Sequence, residues 1–120
     1  MALSDFLATA PVRRVVAVNE DGSYAGAVRK LDWANGKVAA VGATSAKTAA
    51  VAATEVAITT STGAWITFGP AASVAAVHGG AGCMYVDPGM CPVYLQFTSG
   101  QAVAAIHNSG TGHISVLPVI

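Results

Sequence analysis

Charge is what this sequence has least of. Asp, Glu, Lys and Arg make up 10% of its 120 residues, six acids balancing six bases, against about 25% in an ordinary globular domain. A nucleic-acid binder displaces counterions from phosphates with clustered Lys and Arg. Six scattered bases do not supply that, so direct contact with a genome is not expected. Long apolar runs are also missing. Lys47 and Glu55 break the Ala-rich middle, as do Thr and Ser throughout, and no stretch reaches the roughly 20 apolar residues of a spanning helix. A membrane partner is not expected. Met1-Ala2-Leu3-Ser4-Asp5 shows no basic stretch leading into an apolar one, as a secretory signal would. The expected place of assembly is a cytoplasm.

Groups that do chemistry are sparse. Cys83 and Cys91 flank Asp87-Pro88-Gly89. Across a hairpin their Cβ atoms could approach closely enough for a bridge, but an intracellular start is reducing, so buried free thiols are the first expectation, ahead of a disulfide and of a metal. His107 and His113 flank the 108–112 turn and could face one another across it, yet without a nearby carboxylate or thiol they make a poor metal site. His78 stands apart. There is no Gly-x-Ser-x-Gly elbow and no paired-acid constellation. Gly79-Gly80-Ala81-Gly82 lacks the Lys-Ser/Thr and helix that follow a phosphate loop. No catalytic residue, metal or cofactor is expected, and the chain is read as not an enzyme.

What is present is small, apolar and β-forming: 53% of residues are hydrophobic. Residues 1–11 read as an extended N-terminal arm, with Phe6 and Leu7 apolar and Pro11 blocking a helix. The rest, 12–120, reads as one domain. In 12–42, Asp21-Gly22 and Asn35-Gly36 are hairpin signals between short β-branched runs, predicting a meander of three or four strands. The 44–53 stretch reads as mostly extended, with room for one helical turn. Beyond it alternation strengthens. Val56 and Ile58 share a face. Ile66 and Phe68 point inward while Trp65 and Thr67 point out. Val93, Leu95 and Phe97 alternate most clearly. Residues 71–82 read as a small-residue loop. Eight to ten short strands with turn chemistry between them predict an all-β antiparallel sandwich, jelly-roll-like.

The motifs run in a recognisable order over residues 43–118. They are Glu55-Val56-Ala57-Ile58, Ala64-Trp65-Ile66-Thr67-Phe68-Gly69, a small-residue loop, Met84-Tyr85-Val86-Asp87-Pro88-Gly89, Pro92-Val93-Tyr94-Leu95-Gln96-Phe97, Ser99-Gly100-Gln101 and Ser109-Gly110-Thr111-Gly112. This pattern resembles the small capsid cement, or decoration, proteins of tailed bacteriophages. The resemblance implies a structural subunit on the capsid exterior that binds the major capsid protein, bridges neighbouring copies and opposes internal pressure. It also implies association with itself as dimer or trimer. Residues 1–42 lie outside it. Because these are packing and turn motifs, they speak to fold more than to task. A phage fibre, spike or glycan-binding adsorption module is the alternative, and a cupin-type enzyme the third.

A neutral, charge-poor skin is a solubility liability unless it is covered, and depletion of charge marks interface cores. The candidate interface residues are Phe6 and Leu7 in the arm, the adjacent Arg13 and Arg14, of which one must face outward, and the tryptophans Trp33 and Trp65. Trp65 has two readings: contact with the arm, a copy or the shell, or cover by the chain's own 12–41 meander.

Overall fold

A computed structural model describes residues 17–18, 24–25 and 30–120 of the chain. Two short strands, β1 (Ala17–Val18) and β2 (Tyr24–Ala25), pair antiparallel on either side of Asp21-Gly22. The sandwich then takes eight strands: β3 (Lys37–Val41), β4 (Ala46–Lys47), β5 (Glu55–Thr60), β6 (Ala64–Pro70), β7 (Met84–Val86), β8 (Val93–Gln96), β9 (Gln101–His107) and β10 (Gly112–Pro118).

The pairing is that of a rolled ribbon. Counted from β3, the first strand pairs with the eighth, the second with the seventh, the third with the sixth and the fourth with the fifth. All these pairs are antiparallel, so the chain forms one long hairpin bent back at β6–β7. Rolling it adds the β10–β5 and β6–β9 pairings. The result is two four-stranded sheets, β3-β10-β5-β8 and β4-β9-β6-β7, which is the jelly-roll arrangement.

Period-two alternation places the core between them. The first sheet contributes Ala39, Val41, Val56, Ile58, Ile114 and Val116, and the second Ala64, Ile66, Val86, Val103 and Ala105. Val93, Leu95 and Phe68 pack against this cluster, and Phe97 belongs to it, as the alternation predicted. The Phe68 and Phe97 rings meet edge to face, with centroids 4.9 Å apart.

Three local expectations are corrected. Asn35-Gly36 makes no hairpin. Trp33–Asn35 is a 3₁₀ turn, and both flanks pair with the C-terminal strand, Leu31 opposite Val119 and Lys37 opposite Val116. Non-local pairing outweighs the local turn signal, and β3 serves as an edge strand of the first sheet. Cys83 and Cys91 do not face each other across a hairpin, because β7 and β8 lie in different sheets. Both thiols are free and half-buried, with the Val77 N–H directed at Cys83 Sγ (3.5 Å) and Cys91 Sγ–H at the Asp87 carbonyl (3.3 Å). Likewise β9 and β10 lie in different sheets, so His107 and His113 do not flank a hairpin either.

The 44–53 stretch is extended, without a helix. It continues along β9 beyond β4: the Thr48 N–H donates to the Val103 carbonyl at 2.9 Å and the Val51 N–H to the Gln101 carbonyl at 2.8 Å. The buried Thr48 hydroxyl adds a third tie, accepting from the Val103 N–H at 3.1 Å.

Candidate docking surface

Each sheet has an outer face, and the positions that alternate with the core residues define it. On the second sheet these are Trp65, Thr67 and Gly69 of β6, opposite Ile106, Ala104 and Ala102 of β9. Outward positions should be exposed, yet Ala102 and Ala104 are fully buried. The 71–82 segment explains this, because it straps the face. It leaves β6 through a turn on the Pro70 carbonyl. Ala76 is buried, and its N–H donates to Ser45 Oγ at 2.8 Å. Near the far end His78 Nε2 meets Asn108 Oδ1 at 3.0 Å. The return passes Thr67, whose hydroxyl donates to the Gly82 carbonyl at 3.0 Å. Small side chains make the close approach possible. A Cβ at Gly69 would sit 3.0 Å from Val74 Cγ2 in the strap, tighter than ordinary van der Waals contact.

No such strap crosses the first sheet among the described residues. Its outward rows run Val38–Ser115–Thr59 and Leu117–Ala57–Tyr94, with Ala40 beside His113 and Glu55 beside Gln96. Val38 is 61% exposed and Tyr94 37%. Ala40, Thr59, Gln96 and His113 are exposed, Glu55, Leu117 and Ser115 half-buried, and Ala57, between Leu117 and Tyr94, is buried. Glu55, at one corner, is the single carboxylate or Lys/Arg among these outward residues. At the margin the 3₁₀ turn lies against β10, the Asp32 N–H donating to the Pro118 carbonyl at 2.8 Å. It presents Trp33 at 73% exposure. A single exposed apolar residue is ordinary, whereas an uncharged field with a bare tryptophan at its rim is the pattern of a contact surface.

The two tryptophans therefore part company. Trp33 is open. Trp65 points outward, as expected, but finds partners within its own chain: Tyr85 with ring centroids 5.5 Å away, His78 at 5.7 Å, and Asn108 Oδ1 accepting from its indole N–H at 3.3 Å. Among the described residues its cover comes from the strap and β7; most of the 12–41 meander expected to cover it lies outside the described residues. Phe6, Leu7, Arg13 and Arg14 lie outside the described residues. His113 sits on the bare face. His107 Nδ1 is buried with no hydrogen-bond partner.

A shallow groove of about 160 Å³ opens at the side of the sandwich, lined by Ile66, Thr67, Phe68, Gly82, Met84 and Leu95. It exists because β7 is short: its pairing with β6 ends at Ile66–Met84, leaving Thr67 to Pro70 without a strand on that side. The lining is apolar and carries no group for chemistry. Among the described residues no cluster of three His, Cys, Asp or Glu could hold a metal ion, and no helix is long and apolar enough to cross a membrane.

Fold and surface together define a class: a jelly-roll sandwich with one face strapped by its own loop and the other, among the described residues, without a strap and nearly uncharged. Compared with protein-family models, curated proteins and solved structures, the chain matches none.

Proposed function

We propose that this chain is a cement protein of a tailed bacteriophage, which docks on the exterior of an icosahedral capsid and bridges neighbouring major capsid proteins. The observation that carries the reading is the outer face of the first sheet: Val38, Ala40, Tyr94 and Leu117 with almost no charge, and Trp33 bare beside them. The order of strand and turn motifs over 43–118, which resembles such proteins, supports it. So does the physics of the task. A bridge between shell subunits needs a stiff scaffold and a neutral face repeated in many copies, not a tuned titratable group. Edge residues of the same face suit a second copy of the chain, as dimer or trimer about a capsid symmetry axis.

Particle composition and binding test this directly. Virions quantified by mass spectrometry should contain the chain in numbers close to the major capsid protein, and a few copies per particle would sink the proposal. Purified protein should co-sediment with capsids stripped of it. Trp33→Ala should weaken that binding at least tenfold, since exposed tryptophans that become buried on binding are typical hot spots. Its thermal midpoint should stay within about 2 °C of the parent, as expected for a surface change. Undiminished binding would remove Trp33 from the interface.

A further inference from the structure

The far end of the strapped face holds a second constellation that the docking surface does not use. Trp65 and Tyr85 are direct cross-strand partners on β6 and β7, and their rings lie 5.5 Å apart at 57°. His78, from the strap, packs its edge on Trp65 at 5.7 Å and 62°. Asn108 follows β9, its backbone N–H donating to the Gly63 carbonyl at 3.0 Å. Asn108 and His78 are exposed, and both aromatic rings are half-buried.

Hydrogen-bond chemistry fixes how this cluster faces solvent. An indole N–H can only donate, so the Asn108 atom facing Trp65 must be the amide oxygen. The same oxygen meets His78 Nε2, so that nitrogen must donate too. In neutral His78 this leaves Nδ1 as a bare acceptor. Asn108 Nδ2 is turned away with two donors unspent. The Tyr85 hydroxyl lies across Gly63, where a Cβ would stand 2.6 Å from Oη, and it has no hydrogen-bond partner among the described residues. The set therefore offers two aromatic rings on the β6–β7 pair, a double donor on Asn108 just past β9, an acceptor on His78 of the strap when that ring is neutral, and the Tyr85 hydroxyl.

We propose that Trp65, Tyr85, His78 and Asn108 form a binding site for a neutral saccharide. A sugar ring brings apolar C–H faces for the aromatic rings and hydroxyls that donate and accept at once, which matches the unspent atoms here. The set contains no Lys, Arg, Asp or Glu, and among the described residues no cluster of three His, Cys, Asp or Glu could hold a metal ion. Because the donors and acceptor are already oriented, little ordering is needed on binding.

The test is an NMR titration of ¹⁵N-labelled full chain with methyl α-glucoside, methyl α-mannoside, methyl β-galactoside and N-acetylglucosamine. At least one sugar should give a saturable shift of the Trp65 indole N–H and the Asn108 side-chain amide, with Kd on the order of 1 mM, while the Trp33 indole stays still. Asn108→Asp keeps an oxygen to accept from Trp65 and His78 but removes both outward donors, so it should bind at least tenfold more weakly with an unchanged melt. Tyr85→Phe keeps the ring and should weaken binding several-fold, which serves if the first variant is unstable. No response to any of the four sugars overturns the proposal. So do equal movement at Trp33, or both variants binding as tightly as the parent.

Discussion

The two outer faces of the sandwich are made from sheets of equal size and are finished in opposite ways. On the second sheet, Ala102, Ala104 and Gly69 are small enough for backbone to lie on top of them, and the 71–82 strap does so, burying Ala76. On the first sheet the corresponding positions carry Val38, Leu117 and Tyr94, and Val38 remains 61% exposed. The difference teaches where to look for a partner. A sheet needs apolar contact on one face only, so a covered second face is core by another name. An apolar, nearly uncharged face left open among the described residues is where the proposed partner would dock.

The sharpest way to break this contrast is to put a charge under the strap. Ala104→Lys places a long cation where no solvent reaches, and it must either lift the strap or overpack it. Either outcome should cost about 3 kcal/mol or more in denaturant unfolding. A loss below about 1 kcal/mol would mean that the strap lies loosely and that the faces are alike. Next in size is Trp65→Ala. It removes a half-buried ring together with its contacts to Tyr85 and His78, and should lower stability by about 2 kcal/mol. An unchanged melt would show Trp65 to be as free as Trp33.

Part of this contrast was legible in the sequence. Alternation in Val93-Tyr94-Leu95-Gln96-Phe97 and in Ala64-Trp65-Ile66-Thr67-Phe68 marks inward and outward positions by the pleat alone, and the observed burial follows it. The pleat says nothing of what covers an outward residue. Trp65 meets Asn108 across 43 positions, and no local pattern encodes that. Turn signals misled for a related reason. Asn35-Gly36, 87–92 and 108–112 look like hairpin connections, whereas the first joins two segments that both pair with the C-terminal strand, and the others cross between sheets. A ribbon rolled on itself separates sequence neighbours that a meander would pair. One sign of the strap is present in the sequence. Ala102-Val103-Ala104-Ala105 is small on both faces of a strand, and such a strand is covered on both.

Smaller changes sharpen the comparison further. Ser45→Ala deletes the acceptor for the Ala76 N–H, which donates to it at 2.8 Å. The strap would keep its other ties at Thr67 and Asn108. The expected loss is about 1 kcal/mol, that of one part-buried hydrogen bond. Amide exchange should quicken at Ala76 while the core of β9 stays protected. Exchange rising equally throughout the sandwich would show that the strap and the second sheet open as one unit.

Val38→Lys is the counterpart of Ala104→Lys on the bare face, and the smallest expected change in stability. Val38 stands on edge strand β3 beside Ser115, with most of its surface already in water. A lysine there can reach solvent at once, so unfolding should shift by less than about 0.5 kcal/mol. Its effect on association should be large for the same reason. A cation carried into an uncharged contact loses its hydration without gaining a partner, and binding to stripped capsids should fall at least as far as with Trp33→Ala. The same substitution chemistry on the two sheets then separates the roles: under the strap it costs stability, while on the open face it leaves stability and removes the contact. A Val38→Lys protein that binds capsids like its parent would place the contact elsewhere and leave the exposure of the first sheet without a purpose.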